Sequence, residues 1–363
     1  MAGADRRSRR APATRAAARV LVVGAGVTGL LTAVECALAG HRVTVLERGT
    51  VPDPAATSHD QHRALRTLAV GNPGRSRELA GAERRWRELA AVLGGGFYRR
   101  VGVVTAWPRE RVAEVLACAR AAGLPVTAEA ELPPVGAPEG TVAVREEAAG
   151  VLLAEQVLRS AAAWLAGHPA VELRPGCEVA AVSADDGRVR LRGGEVVHGD
   201  LVLVAAGPWT RELAGHPVVV YRQTMLYLRP PSALAARWRG APAAGGLGAD
   251  GRGWALPPGG GALLKISSDA VCRAVPGTGG AAEEDQEPWA LRLAGSGVLP
   301  DIEAYEVVGA RACHYAADAR DGGAHLARIG PRLWSRPACG GTGFAEAPLV
   351  ARRITEAARE AAA

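Results

Sequence analysis

Lysine, aromatic residues and paired cysteines are all scarce in this 363-residue chain. The six cysteines are scattered, with no C-x-x-C pair and no zinc-ligand spacing, which argues against a disulfide framework and a zinc module. Reduced thiols of this kind are typical of a cytoplasmic protein. No apolar run reaches the length of a membrane-spanning helix, so we expect no membrane partner.

The net charge of +6 lies almost wholly at the N-terminus. Residues 1–19 contain six arginines against one aspartate, so the rest of the chain is close to neutral. We predict that residues 1–18 form a disordered basic tail, and we expect no nucleic-acid partner. The tail has no apolar core segment before the first predicted strand, so it does not resemble a secretion signal.

Lys265 is the only lysine, beside 42 arginines. It stands in an apolar segment, Gly261–Ile266, that predicts a strand. An ammonium group is a compact point charge, whereas a guanidinium is a broad plane, so a position that retains lysine invites a functional reason. The alternatives are chance survival and a side chain that only extends its amine to solvent.

A dinucleotide-binding pattern occupies the first predicted βαβ unit. The apolar run Val20–Val23 predicts a buried strand, and Gly24-x-Gly26-x-x-Gly29 follows it directly and begins a helix. The three glycines allow, in order, a tight turn, a close approach of the backbone to a pyrophosphate, and close helix–strand packing. A second strand ends on Glu47, 18 residues after Gly29, where a carboxylate can accept hydrogen bonds from ribose hydroxyls.

The order of predicted elements indicates an α/β (α+β) fold with two domains. A Rossmann-type nucleotide domain is built from discontinuous segments, and a mainly antiparallel β substrate domain with helices takes the remainder. The predicted boundaries are 19–90, 141–215 and 310–363 for the nucleotide domain, and 91–140 and 216–309 for the substrate domain. The local predictions include helices over 151–167 and 348–358 and a strand over 305–309.

Several chemistries lack their sequence signals. Ala294–Gly297 and Gly277–Gly280 have no strand and helix around them, so only one dinucleotide site is predicted, and direct hydride transfer from the substrate is favoured. No Gly-x-Ser-x-Gly or His-Glu-x-x-His motif is present, and His59-x-x-His62 lacks further ligands nearby, so no metal is predicted. Ala327–Pro331 lacks the Gly-Asp segment of aromatic hydroxylases.

The chain resembles the FAD-dependent amine oxidases of the D-amino acid oxidase superfamily, and most of all the monomeric sarcosine oxidase branch. The resemblance spans about residues 19–358. It rests on six segments in order: Gly24-x-Gly26-x-x-Gly29 with Glu47-Arg48, Ser58-His59-x-x-x-Arg63-x-x-Arg66, Asp200–Gly207, Leu264-Lys265-Ile266, Cys313-x-Tyr315 and Gly341-x-Gly343-Phe344.

The resemblance implies FAD as the cofactor. It implies these FAD-binding residues: Gly24, Gly26, Gly29, Glu47, Arg48, Val179, Gly207, Cys313, Gly341, Gly343 and Phe344. In that family the equivalent of Cys313 bonds covalently to the flavin 8α-methyl group; the alternative is a small buried apolar side chain. The loop over 341–344 leads to a helix N-terminus, whose dipole would favour an anionic flavin.

The implied reaction oxidises a C–N bond to an imine and reduces O2 to H2O2. The resemblance places Lys265 beside the flavin, His59 and Arg63 near its ring, and Arg66 on a substrate carboxylate. A fixed cation about 4 Å from a new anion is worth roughly 4 kcal/mol at an effective dielectric near 20. We therefore expect a small amine or amino-acid-like substrate and O2 as partners, and a monomer or weak dimer.

Two positions depart from the sarcosine oxidase pattern. Ala345 replaces the lysine that would complete the carboxylate clamp, and Asp269 replaces a histidine. Asp269 and Glu346 are candidates to receive a second cationic group, so we expect a substrate larger or more basic than sarcosine, in a specialised biosynthetic pathway. Two alternatives stay open: a dehydrogenase of the same fold that passes electrons to a carrier, and a non-catalytic flavoprotein that binds a partner through its tail.

Overall fold

The computed structural model describes residues 17–278 and 286–362. Most of the tail predicted over residues 1–18 lies outside this range, as does the end of the Gly277–Gly280 segment. Among the residues described, no helix has both the length and the apolar character needed to cross a membrane.

The helices lie mainly around the chain's first and last thirds. Within the described ranges the α-helices are α1 (Val27–Leu38), α2 (Pro73–Val92), α3 (Val112–Ala122), α4 (Ala154–Ala166), α5 (Thr210–Ala214), α6 (Ser232–Trp238), α7 (Glu287–Ala294) and α8 (Gly343–Ala361).

Most strands are short, and two in the second half of the chain are long. The strands are β1 (Arg19–Val23), β2 (Arg42–Leu46), β3 (Arg63–Leu65), β4 (Tyr98–Arg99), β5 (Val103–Pro108), β6 (Val126–Ala128), β7 (Thr141–Glu146), β8 (Gly150–Leu152), β9 (Val171–Arg174), β10 (Val179–Val182), β11 (Arg188–Leu191), β12 (Val196–His198), β13 (Leu201–Val204), β14 (Val218–Arg229), β15 (Ala243–Leu247), β16 (Gly253–Leu256), β17 (Leu264–Ser268), β18 (Cys272–Val275), β19 (Glu306–Asp318), β20 (Ala324–Arg328) and β21 (Leu333–Cys339).

A six-stranded sheet carries the predicted dinucleotide pattern. Its order is β20-β21-β13-β1-β2-β9, with β1 parallel to both β2 and β13. Helix α1 follows β1 after the glycine turn and packs against α8. The apolar faces of these elements share one core, in which Val20, Leu30 and Ile354 are fully buried. The near-continuous apolar runs of β1 and β13 suit strands buried on both faces.

A nine-stranded, mainly antiparallel sheet forms the other large layer. Its order is β18-β14-β17-β16-β15-β5-β7-β6, and β19 pairs with the other edge of β14. A second core, including Val104, Leu226 and Ile266, covers this sheet. Strands β7 and β19 belong to this sheet although their residues fall in the predicted nucleotide segments. We keep the predicted domain boundaries as a proposal.

Three local predictions differ from the structure in extent. The helix predicted over 151–167 begins only at Ala154, because residues 150–152 form β8 and pair with β3 and β4. The helix predicted over 348–358 begins earlier, at Gly343, and extends to Ala361. The strand predicted over 305–309 is the start of β19, whose thirteen residues pair with β14. Each difference is set by a partner distant in sequence.

Pro348 lies inside α8, where proline removes a backbone hydrogen bond. The carbonyl that loses its partner is that of Phe344, four residues earlier. The indole N–H of buried Trp86 donates to this oxygen at 2.9 Å. The side chain of α2 thus satisfies the carbonyl and lets α8 start before its proline.

The Trp86→Phe variant is expected to lower the free energy of unfolding by about 1–3 kcal/mol, because a buried carbonyl is left without a donor. Denaturant unfolding of the wild type and the variant measures the difference. Trp164→Phe is the matched control, since Trp164 is partly exposed and stacks on His168. An equal loss in both variants would contradict a specific role for the Trp86 hydrogen bond.

Candidate active site

A cavity of about 900 Å³ lies between the two large sheets. Gly24 and Glu47 line it from the first βαβ unit, and Lys265 and Cys313 line it from β17 and β19. The predicted site residues all line this cavity except Gly29 and His59. Segments far apart in sequence therefore reach one space of a size suited to a large ligand.

The glycine turn forms one end of the cavity. Gly24 has φ +101°, and a Cβ there would stand 2.6 Å from the carbonyl oxygen of Ala205 in the neighbouring chain segment. A Cβ at Gly29 would overlap the carbonyl oxygen of Gly24, so Gly29 serves helix–strand packing. Gly26 caps α1 without a side-chain hydrogen bond, and its side of the turn lines the cavity. A helix N-terminus in this setting favours anionic ligand groups.

Glu47 and Arg48 stand at the carboxyl end of β2. The Glu47 carboxylate accepts from the backbone N–H of Ala25 at 2.7 Å and of Gly49 at 3.0 Å, which fixes it beside the turn. Each oxygen keeps a further lone pair for a ligand hydroxyl. The Arg48 guanidinium lies 3.8 Å from the centre of the Trp209 ring, just after Gly207. This end of the cavity suits a nucleoside.

The loop over 341–344 closes the other end. Gly341 has φ +79°, and α8 begins two residues later with its N-terminal turn on the cavity. The Phe344 ring stacks on Trp86, with ring centres 6.2 Å apart, which holds the loop against α2. Arg336, in β21, also lines the cavity, and its buried Nε has no hydrogen-bond partner among the described residues. Sequence reasoning did not identify Arg336.

Lys265 belongs to a buried charge cluster. Its Nζ donates to Asp60 Oδ2 at 2.9 Å and to the His62 carbonyl oxygen at 2.5 Å. Arg63 forms an ion pair with the same Asp60 oxygen, and the Tyr227 hydroxyl donates to Asp60 Oδ1 at 2.6 Å. Asp60 was not predicted, because no local pattern links it to a lysine 205 residues away.

The cluster carries a net positive charge at neutral pH. Burial lowers the pKa of Lys265 to about 8, with Arg63 adding to the effect and Asp60 opposing it. Burial alone would raise the pKa of Asp60, but the Arg63 and Lys265 cations outweigh it and hold this pKa well below its usual range. Burial also lowers the pKa of His62 to about 3, so that ring is neutral. Two cations therefore share one carboxylate.

Arg66 lies on the cavity wall with its side chain 45% exposed. It donates to the Thr105 hydroxyl, and its Nε lies 3.6 Å from Glu146. Glu146 already accepts from the backbone N–H groups of Thr67 and Leu68. Arg66 therefore retains donors for an anionic ligand group, as the sequence predicted for a substrate carboxylate.

The two candidate acceptors for a cationic group have different surroundings. Glu346 is ion-paired with Arg75 and with Arg336, the latter at 2.6 Å, so the expectation that it receives a substrate cation is wrong. Asp269 is half-buried on the cavity wall, and burial raises its pKa. Its nearest named charges are Arg252 and Asp250. Asp269 alone keeps the role predicted for the pair.

Cys313 and His59 take different places. Cys313 lies on β19 opposite Gln223 and lines the cavity, and burial raises the pKa of its thiol. His59 does not line the cavity: its backbone N–H donates to the Ala56 carbonyl at 2.9 Å, and its Nδ1 has no partner among the described residues. Arg63, from the same loop, does reach the cavity.

A comparison with protein-family models finds a match over residues 19–357 to the family described as FAD dependent oxidoreductase. Among characterised proteins, the glycine oxidase of Pseudomonas aeruginosa is 77% identical over 31 residues. That match covers 8% of this chain and 8% of the glycine oxidase, so it bears on one short segment.

Solved structures share the fold over nearly the whole chain. A modified fructosyl peptide oxidase from Aspergillus nidulans aligns with a TM-score of 0.77 at 17% identity, covering 94% of this chain and 90% of the other. NikD, described as an unusual amino acid oxidase essential for nikkomycin biosynthesis, aligns with a TM-score of 0.76 at 18% identity, covering 94% of both chains. Amadoriase I from Aspergillus fumigatus aligns with a TM-score of 0.72 at 18% identity, covering 95% and 87%. At these identities the likeness concerns the fold, and it bears out the predicted mixed α/β architecture.

Proposed function

Because the chain belongs to the family of FAD-dependent oxidoreductases, we propose that it oxidises a C–N bond of an amine or amino acid to the imine and passes the electrons to O2. Bound FAD supplies the two-electron acceptor for this oxidation. The observation that carries the proposal is Lys265, a buried cation on the wall of the cavity that also receives the glycine turn.

The residues of the cavity fit FAD at both ends. At one end, the glycine turn leaves no room for side chains at Gly24 and Gly29, and an open helix N-terminus faces the cavity. At the other end, the partnerless Nε of Arg336 offers a donor beside the 341–344 loop. A buried arginine N–H is costly without an acceptor, and a flavin carbonyl or ring nitrogen would satisfy it.

In this proposal the chain holds FAD through several segments. The turn over 24–29 holds the pyrophosphate and Glu47 the ribose, while Arg48, Val179 and Gly207 line the adenosine end. Gly341, Gly343 and Phe344 hold the pyrimidine end of the flavin, where the N-terminus of α8 stabilises negative charge. Cys313 bonds covalently to the flavin.

The Cys313→Ser variant tests the covalent bond. We expect wild-type protein precipitated with acid to keep its yellow colour in the pellet, and the variant to release the colour to the supernatant. Cys272→Ser, on the neighbouring β18, is the control and should behave as the wild type. Colour that leaves the wild-type pellet would reduce Cys313 to a packing residue while retaining FAD.

The substrate occupies the part of the cavity near Arg66 and Asp269. Arg66 binds a carboxylate through its remaining donors. Since Ala345 offers no second cation, this clamp is incomplete, and Asp269 is placed to receive a cationic group of the substrate. We propose an amine or imino acid larger or more basic than sarcosine, processed in a specialised biosynthetic pathway, the setting stated for NikD.

Lys265 distinguishes an oxidase from a dehydrogenase of the same fold. A cation held beside the flavin stabilises the anion that forms when O2 accepts an electron. A peroxidase-coupled assay measures whether one H2O2 forms for each substrate oxidised. A protein that is reduced by substrate but transfers electrons only to an added dye would support the dehydrogenase.

A panel of amines tests the substrate class. Wild-type protein is given sarcosine, bulkier N-alkyl and cyclic imino acids, and diamino acids, and kcat/KM is compared. We expect the bulkier or more basic compounds to be preferred, and Asp269→Asn to lose most activity on the substrates with a second cationic group. Efficient turnover of sarcosine with no preference for larger amines would contradict this assignment.

A further inference from the structure

A second cluster of ligand-type side chains lies outside the cavity. His216 Nε2 is 3.0 Å from Asp318 Oδ2, and His325 Nδ1 is 3.4 Å from the same oxygen. The three atoms lie within 4.8 Å of one another. None of these residues lines the cavity or belongs to the proposed oxidase site.

The fold brings the three residues together from three segments. His216 follows α5 and directly precedes β14, Asp318 ends β19, and His325 lies in β20. Asp318 pairs with Val218 of β14 in the nine-stranded sheet, whereas β20 belongs to the six-stranded sheet. The cluster therefore stands where the two large sheets meet.

We propose that His216, Asp318 and His325 bind a divalent transition metal of the zinc class. Imidazole nitrogen and carboxylate oxygen are established zinc ligands, at bond lengths of about 2.0–2.2 Å. A tetrahedral arrangement with such bonds separates the ligand atoms by roughly 3.3 Å. The two distances to the shared Asp318 oxygen match this spacing, and the fourth position is left to water.

The orientation of the rings supports the same reading. The two imidazoles stack with centres 4.0 Å apart and planes 12° apart, and each presents a ring nitrogen to the carboxylate. Asp318 itself is held in place, since its backbone N–H donates to the Gly323 carbonyl at 3.0 Å. Its side chain is only 2% exposed. The ligand atoms are therefore positioned before a metal arrives, which lowers the cost of binding.

The protonation states suit metal binding at neutral pH. Burial lowers the pKa of His325, with His216, Arg320 and Arg336 adding to the effect and Asp318 opposing it. Hydrogen bonds from Arg320 hold the pKa of Asp318 well below its usual range. A neutral imidazole and an ionised carboxylate are the forms that coordinate metals.

Arg320 is the competitor for this site. Its guanidinium lies 2.9 Å from Asp318 Oδ2 and 3.5 Å from His325 Nδ1. The Arg320 side chain is 70% exposed, so it is able to turn into solvent. Asp318 Oδ1 would still accept from the Arg320 backbone N–H at 2.9 Å. Removing this side chain should therefore favour the metal.

Zinc titration of the full-length, tag-free, flavin-loaded protein tests the proposal. After treatment with a chelator, calorimetry with ZnCl2 is expected to show one equivalent bound. His216→Ala and His325→Ala should each weaken binding about 100-fold or more, since loss even of residues behind the ligands costs 10–100-fold. Arg320→Ala should tighten binding about tenfold. His198→Ala, at an exposed histidine elsewhere, should leave it unchanged.

Thermal unfolding supplies a second measurement. Zinc should raise the unfolding temperature of the wild type and of Arg320→Ala, because a ligand that binds only the folded state stabilises it. If an alanine variant does not fold, glutamine at the same position is titrated instead. Absence of a one-equivalent site, or equal affinity in the histidine variants and the wild type, would overturn the proposal and leave a surface-bound ion. Weaker binding in Arg320→Ala would overturn it too.

Discussion

The Lys265→Met variant is expected to react with O2 about a thousandfold more slowly than the wild type. Lys265, Arg63 and Asp60 together carry one net positive charge, and the substitution removes it. One charge at about 4 Å is worth roughly 4 kcal/mol at an effective dielectric near 20, and each 1.36 kcal/mol is tenfold in rate. Arg63 still pairs with Asp60, so the variant should fold. Stopped-flow reoxidation of the reduced protein measures the effect.

The same rate should depend on pH through Lys265. Its pKa of about 8 means that the side chain is mainly protonated at pH 7 and loses its proton as the pH rises through 8. Reoxidation of the wild type should therefore slow above pH 8. Lys265→Met should lack this decline, since it has no proton to lose there.

Arg311→Met is the matched control for charge removal. Arg311 lies on β19 two residues before Cys313, but its guanidinium donates to the Pro54 carbonyl at 2.9 Å outside the cavity lining. Reoxidation should be nearly unchanged in this variant. If Lys265→Met instead slowed substrate oxidation and reoxidation equally, Lys265 would act by positioning the ligands and not through its charge.

The Asp60→Asn variant should be the most destabilising single change at the site. Asparagine retains an oxygen for the Tyr227 hydroxyl but leaves Lys265 and Arg63 as adjacent cations without an anion. Loss of one partner from a buried ion pair costs about 3–5 kcal/mol. Denaturant unfolding measures this loss. The pKa of Lys265 should also fall further, so the decline in O2 reactivity should begin at lower pH.

Glu83→Gln provides the comparison. Glu83 is also a buried carboxylate, but its partner Arg87 has a side chain that is 49% exposed and is able to turn to water. We expect a smaller loss of stability, because no cation is left buried. An equal loss in the two variants would mean that Asp60 contributes only as a buried polar group and not as the shared anion of two cations.

The sequence was most informative where the relevant contacts are local. The strand, glycine turn and helix from Val20 to Leu38 follow from neighbouring residues, and the structure places Glu47 beside that turn. The scarcity of lysine drew attention to Lys265, which lies on the cavity wall. Parallel strands bring their carboxyl ends to one edge of a sheet, so this part of the site could be predicted without coordinates.

Features that need two distant segments were less accessible. The start of α8 at Gly343 depends on the Trp86 hydrogen bond, and β8 depends on β3 and β4, which no local pattern shows. The expectation that Glu346 receives a substrate cation was wrong because Arg75 and Arg336 occupy it. Side-chain partners of this kind are chosen by packing.

The sequence by itself determined that this protein has a Rossmann-type FAD-binding unit and a single distinctive cation. Only the tertiary structure decided which charges surround that cation, since Asp60 lies 205 residues from Lys265. It also decided that His216, Asp318 and His325 converge where the two sheets meet. Periodicity and turn chemistry act over a few residues, whereas burial and ion pairing depend on which surfaces meet after folding.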